Sequence, residues 1–266
     1  MDAVLVGLAV MVGLALGSFA TVPIERWPHG GTVARPRRSQ CPACGAPVRA
    51  SDNIPVVSWL RLRGRCRDCG APISPRYLVV ELITATLFGA TVWVWGLHPL
   101  LPALLVLVWS LVVATVIDLE HRIIPNRLTL RLPVVLAVLL VAATALAGEW
   151  ADLVRAAIAA VGVPGLMLLL SETFRLIRGQ AGIGMGDIKL AISLGLVVGY
   201  LGGIHLVVFA YASIISAVVI AVALLLAGRA RLASRIPFGP YLAIGTLVPV
   251  LSPDASAELM LGLFGL

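Results

Sequence analysis

Of the chain's 13 acidic residues, two occupy places where a carboxylate is poorly solvated. Asp118 closes the apolar run of LVVATVIDLEHRIIPN, and Asp187 opens another after the glycines of GQAGIGMGDIKLAISLG. Ionisable groups at the end of an apolar helix are candidates for function. Each has a plain alternative alone: Asp187 as a helix cap, and Asp118 as a partner for Arg122 one turn on. Together, at one membrane depth, they suggest a different use. Two facing carboxylates share one proton, because both ionise only at high cost so close together. One then activates water while the other, protonated, polarises a peptide carbonyl. That is aspartic protease chemistry. It needs an extended substrate backbone near the pair, and Gly184 and Gly186 leave room for one. They are the expected substrate groove. Lys189 is two residues from Asp187 and faces elsewhere, so it reads as an anchor at the membrane boundary.

A second constellation lies upstream. All four cysteines fall in CPACGAPVRASDNIPVVSWLRLRGRCRDC, as the pairs Cys41, Cys44 and Cys66, Cys69. Two C-x-x-C turns, each followed by glycine, present four thiolates to one tetrahedral ion. Two disulfides are the alternative, but a cytoplasmic loop is a reducing place. The expected ion is zinc. Four sulfur ligands leave no open coordination position, so its role is structural. It stabilises a loop with too little core to fold unaided.

The elements that carry these residues are apolar helices. The chain is 60% hydrophobic and 12% charged, with a mean hydropathy of +1.02. It reads as an all-α polytopic membrane protein. About 20 apolar residues make a crossing, and the runs suggest eight: 2–22, 77–97, 100–117, 128–147, 152–171, 187–202, 204–227 and 237–252. Glycines at 199, 202 and 203 blur the end of the sixth, and Pro249 and Pro253 interrupt the eighth. The division is a first helix (1–22), a cytoplasmic cysteine insertion (23–76) and a seven-helix core (77–266).

A net charge of +7 invites a nucleic-acid reading, but its placement favours topology. Nine arginines lie from Arg26 to Arg67, followed by Arg76. Further groups are Arg122, Arg127 and Arg131; Arg175, Arg178 and Lys189; and Arg229, Arg231 and Arg235. Eight crossings put all of these on one side, which the positive-inside rule makes cytoplasmic. Both termini then face out, the partner is the lipid bilayer, and no nucleic acid is expected. With Asp2 where a cationic start belongs, residues 1–22 read as an anchor rather than a cleaved signal.

Gly184-Met185-Gly186-Asp187, continuing Ile188-Lys189-Leu190, resembles the GxGD signature of prepilin peptidases, the type IV leader peptidases. Asp118 in IDLEHRIIPN matches that family's other catalytic aspartate. GSFATVPIERWP, the two cysteine pairs, SDNIPVVSWL, GRCRDCGAPISPRYLVVEL and IPFGPYLAIG are similar as well. Thr21 departs from the pattern, where the family usually has Asn. The resemblance implies removal of a short basic leader from prepilins and pseudopilins, after a glycine at the cytoplasmic face. It also implies N-methylation of the new terminus with S-adenosylmethionine. The residues themselves give no support for methylation, since 23–76 holds no glycine-rich strand–turn–helix for that cofactor.

Two rivals stand beside this reading. A proton-coupled or cation transporter would use the aspartates as a relay, but its broken helices usually come in pairs, and here there is one glycine-broken site. A scaffold built on the zinc module leaves the aspartates idle. Among the remaining residues, Glu81 reads as structural, near Arg76. His121 reads as a solvated loop residue or a tuner of Asp118, and His29 as an extra ligand the cysteines do not need. His98 and His205 fall in outer turns. Gly13 and Gly17 form a small-xxx-small packing pair. Trp93, Trp95 and Trp150 read as interfacial anchors.

Overall fold

The computed structural model of the chain describes residues 3–35, 39–180, 182–228 and 237–265. Asp2, Arg37, Arg38, Arg229, Arg231 and Arg235, which enter the charge argument, lie outside the described residues. The long apolar runs become helices because a backbone in lipid must satisfy its own polar groups. These are α1 (Ala3–Arg26), α3 (Arg76–Trp95), α4 (Leu101–His121), α6 (Leu132–Ala147), α7 (Trp150–Arg178), α8 (Met185–Leu201), α9 (Gly203–Leu226), α10 (Gly239–Leu251) and α11 (Pro253–Phe264). Two short helices, α2 (Val57–Arg61) and α5 (Asn126–Thr129), lie in the connections. Among the described residues the only β features are three isolated bridges.

The expected eight crossings are not all full-length. Six stretches are long and apolar enough to cross: α1, α3, α4, α5 with α6, α7 and α9. The bent pair α10–α11 makes a seventh if it counts as one span. The expected sixth crossing is α8, whose 17 residues rise about 26 Å, short of a hydrocarbon core of ~30 Å. The expected eighth ends at Leu251, and the chain turns by 102° into α11. The short helix survives because protein rather than lipid surrounds it. Eleven of its 17 residues are buried, against four of 29 in α7. The chain is a multi-pass membrane protein whose middle is α4 and α8.

Small residues bring neighbouring backbones together. A Cβ on Gly13 would stand 2.7 Å from Ala85 Cα, and one on Gly17 2.8 Å from Glu81 Cα. This joins α1 to α3, the packing role expected of that glycine pair. Gly195 and Gly199 do the same for α8 against the α7 backbone at Arg155–Ala160. The other end of the bundle holds the turns that follow α3, α8 and α10. There Trp95 Nε1 donates to the Val250 carbonyl at 2.7 Å, and His205 Nε2 lies 3.3 Å from the Pro253 carbonyl. Trp93 and Trp150 are exposed, whereas Trp95, expected beside them as an anchor, is partly buried against the core.

Candidate functional site

Asp118 sits in the last turn of α4 and Asp187 in the first turn of α8. They are 5% and 8% exposed, so the two carboxylates are enclosed at one end of the bundle. They are close enough for their charges to interact. Neither alternative use holds as stated. Arg122 forms no ion pair with Asp118; its backbone N–H donates to the Asp118 carbonyl at 2.9 Å, closing α4 in a left-handed turn. The N-cap of α8 is Gly184, not Asp187. Asp187 lies three residues into the helix and turns its carboxylate back toward the Gly184 amide, like the returning half of a capping box.

Asp118 has a partner that sequence reasoning missed. Its Oδ2 accepts the Gly239 N–H at 2.9 Å, at the start of α10. The first N–H groups of a helix lack partners within it, and that end favours negative charge. Both carboxylates therefore lie at helix N-termini, one on α8 and one on α10. Gly239 has to be bare, since a Cβ there would stand 2.8 Å from Asp118 Oδ2. The signal was available in IPFGPYLAIG: a glycine between Phe238 and Pro240 where an apolar helix begins. The other carboxylate is less tied, and Asp187 Oδ1 is buried with no hydrogen-bond partner.

The groove glycines face the chain's own atoms. A Cβ on Gly184 would lie 2.8 Å from Asp187 Oδ2, and one on Gly186 3.1 Å from Ile124 Cβ. Gly184 has φ −67° and ψ 141°, which any residue adopts. Contact rather than backbone conformation explains both. The approach to α8 is pinned by Ser171, whose Oγ accepts the Ile183 N–H at 3.2 Å. Lys189 Nζ donates to Asn126 Oδ1 at 2.8 Å, tying the chain after α4 to α8.

The cysteines form a separate centre at the same end of the molecule. Their four sulfurs all lie within 4.8 Å of one another, and Cys41 and Cys69 are in hydrogen-bond contact at 3.9 Å without a disulfide. The group has the size of a site for one metal ion. Its two knuckles repeat one geometry. The Gly45 and Gly70 amides donate back to the Cys41 and Cys66 carbonyls at 2.8 and 2.9 Å. Both glycines have φ of 71°, where a side chain would be strained. Amides of Cys44 and Ala43 lower the Cys41 thiol to about 7. The Ala71 amide pulls Cys69 down, but burial and the crowding sulfurs outweigh it and push that thiol up to about 12. Four sulfurs this close ionise together only around a cation. His29 takes no part; it packs edge-on against His121 at 5.4 Å.

Ion pairs complete the module. Arg67 grips Asp52 through two nitrogens at 2.6 and 2.8 Å, with Arg61 adding a third bond at 2.9 Å. Chiefly through Arg67, the Asp52 carboxyl is held down at about 2. Arg76, at the start of α3, joins Glu25 of α1 to Glu120 of α4, the latter at 2.5 Å. Glu81, expected to be structural near Arg76, takes no part in this pair. It is 6% exposed, and its Oε2 accepts the Val56 N–H at 2.7 Å. Between α1, the cysteine module and α3 lies a cavity of about 640 Å³, lined among others by Thr21, Trp59, Tyr77, Glu81 and Glu120.

The chain matches two described families: the Bacterial Peptidase A24 N-terminal domain over residues 11–95, and the Type IV leader peptidase family over residues 105–224. Among its relatives is the prepilin leader peptidase/N-methyltransferase of Aeromonas hydrophila. The two are 39% identical across 82% of this chain and 72% of the relative. Proteins with the same name from Stutzerimonas stutzeri and Pseudomonas aeruginosa are 33% and 34% identical. Each match spans 92% of this chain, and 90% and 89% of the respective relatives. No solved structure matches the chain.

Proposed function

This chain belongs to the type IV leader peptidase family, and on that premise we propose that it is a prepilin peptidase. It cuts the leader from prepilins and pseudopilins with Asp118 and Asp187. The observation that carries the reading is the enclosed pair itself, two carboxylates on different helices with opposite degrees of restraint. Gly239 fixes Asp118, while Asp187 Oδ1 is left to face a water or the shared proton. Water attacks the scissile carbonyl as one carboxylate takes its proton; the other donates to the carbonyl oxygen. The carbon–nitrogen bond then breaks, and the departing amine takes a proton. Gly184 and Gly186 border the groove in this reading, and their bare backbone lets α8 begin hard against Ile124 and the Asp187 carboxylate. A transporter gains nothing from the family match.

The division into a first helix, the 23–76 insertion and a core from 77 to 266 stands as a functional one. The insertion holds structural zinc through Cys41, Cys44, Cys66 and Cys69. A tetrahedral ion with Zn–S bonds of ~2.3 Å sets its sulfurs about 3.8 Å apart, close to the 3.9 Å between Cys41 and Cys69. The names of the relatives support a second activity, N-methylation of the exposed terminus. S-adenosylmethionine supplies the methyl group when bound, and the cavity between α1, α3 and the module has room for it. The enzyme lies in the bacterial cytoplasmic membrane with the carboxylates at the cytoplasmic face and both termini outside.

The test is incubation of the purified, reconstituted protein with a leader-bearing pilin peptide, read by mass spectrometry. A single cut after the leader is expected. An intact peptide after prolonged incubation would remove proteolysis from the reading.

A further inference from the structure

The geometry points to Glu81 as the residue that recognises the cationic methyl donor, S-adenosylmethionine, in the cavity between α1, α3 and the cysteine module. The proposal rests on the methyl-transfer half of the function given above. Four observations converge on it.

Glu81 is 94% withdrawn from solvent yet lines that cavity. A buried carboxylate without a cation is costly, and among the described residues Glu81 forms no ion pair. The arginines that line the cavity are engaged elsewhere: Arg76 by Glu25 and Glu120, Arg67 by Asp52, Arg49 by Asp68, and Arg26 by the Thr32 and Val33 carbonyls.

Its orientation is fixed at some cost. The Val56 N–H that it accepts belongs to a β-branched residue at φ 62° and ψ −54°. Backbone held in so sparsely populated a region is characteristic of ligand clamps.

The cavity suits the ligand. About 640 Å³ is within the usual range for small-molecule and cofactor sites. Trp59 and Tyr77 provide aromatic faces on its wall, which favour both an adenine ring and a cation.

The cavity also adjoins the place of cleavage. Glu120 lines it and stands two residues after Asp118 on α4. A terminus released at the aspartates therefore emerges beside the donor. The neutral amine nitrogen attacks the methyl carbon, and the carbon–sulfur bond breaks with its electron pair going to sulfur. The nitrogen then gives up one proton, to a carboxylate lining the cavity or to water.

Glu81→Gln is the discriminating variant, because it keeps an oxygen for the Val56 N–H and removes only the charge. Equilibrium binding to the full-length protein in nanodiscs is measured for S-adenosylmethionine and for S-adenosylhomocysteine, which lacks the sulfonium. The variant should bind the first at least tenfold more weakly and the second nearly as well as wild type. Equal weakening of both, or of neither, overturns the assignment of Glu81. A second measurement does not depend on that variant. Ser18→Cys places a thiol on the cavity wall, and bound S-adenosylmethionine should slow its alkylation; an unchanged rate overturns the cavity as the site. Cleavage of a pilin peptide by the same samples reads the protease separately, so failure of methyl-donor binding is not confused with failure of proteolysis.

Discussion

The α4–α8 core and the cysteine module handle charge in opposite ways. In the core, two carboxylates lie among apolar helices, one held by a single backbone N–H and the other with an oxygen unpartnered. In the module, nearly every acid is gripped by arginine, and four sulfurs converge on one point. The core derives its order from burial and can carry underbonded groups at its edge. The module has little to bury and is ordered by ion pairs and a ligand cluster. It follows that the core can lose its chemistry without losing its fold, while the module should lose its fold first.

The largest effect expected from that contrast is at the carboxylates. Asp118→Asn and Asp187→Asn should each lower cleavage by 10²–10⁴-fold or more, roughly the worth of an acid–base group. Thermal unfolding should shift little, since each change removes a charge from a buried place. A variant cleaving at near wild-type rate would exclude that residue from the reaction.

Cys44→Ser should show the opposite pattern: lost metal and a proteolytically sensitive 39–75 segment, with a smaller fall in cleavage transmitted through Arg76. Acidification sharpens the comparison. Metal binding needs thiolates, so the ion should leave as pH falls. Asp52 has a depressed pKa, so its pairing contributes fully above the ordinary carboxylate value and is lost only as pH approaches about 2. Metal released near pH 5 therefore reports the sulfurs, not this ion pair. A module that stays protease-resistant without metal would break the contrast.

A smaller loss, on the order of tenfold, is expected of Gly239→Ala, which crowds Asp118 Oδ2 while keeping the N–H. It should appear in kcat more than in KM. Gly186→Ala meets only Ile124 at 3.1 Å and should cost less. Glu120→Gln is the mildest, two- to threefold at most. Glu120 faces Arg76 rather than Asp118, and a partly exposed ion pair contributes about 0–1 kcal/mol. A large loss there would tie the module's contacts directly to the chemistry.

The features legible in the sequence were those written in local spacing. Two C-x-x-C-G knuckles, a small-xxx-small pair and long apolar runs each declare themselves within a few residues. Asp118 and Asp187 were also legible, because a charge at the end of an apolar run is conspicuous. What escaped was set by packing across the chain. Gly239 meets Asp118 from 121 residues away; the glycine before Pro240 was visible, but nothing local says which carboxylate its N–H would reach. Glu81 was read as structural from its place near Arg76, but its partner, a backbone N–H from the module, could not be read from spacing. The shortness of α8 was visible in the 187–202 run, but the reason it is tolerated was not. Length rules assume lipid on all sides, and α8 is wrapped by other helices.

That shortness bears on how the protein is made. A segment with an aspartate and a lysine among its first five residues, several glycines and only about 26 Å of rise is a poor candidate to leave the translocon for lipid alone. Its predecessor α7 is 29 residues long and mostly lipid-facing, and the glycines of α8 fit against it face to face. The two should therefore partition into the bilayer as a preassembled helical hairpin, with α7 as the carrier and α8 as its passenger. Glycosylation-site mapping on nascent chains would show α8 inserted when α7 precedes it and left outside when an unrelated helix does. Biogenesis then places an upper limit on how polar the Asp187 end of α8 can become, separate from any limit set by catalysis.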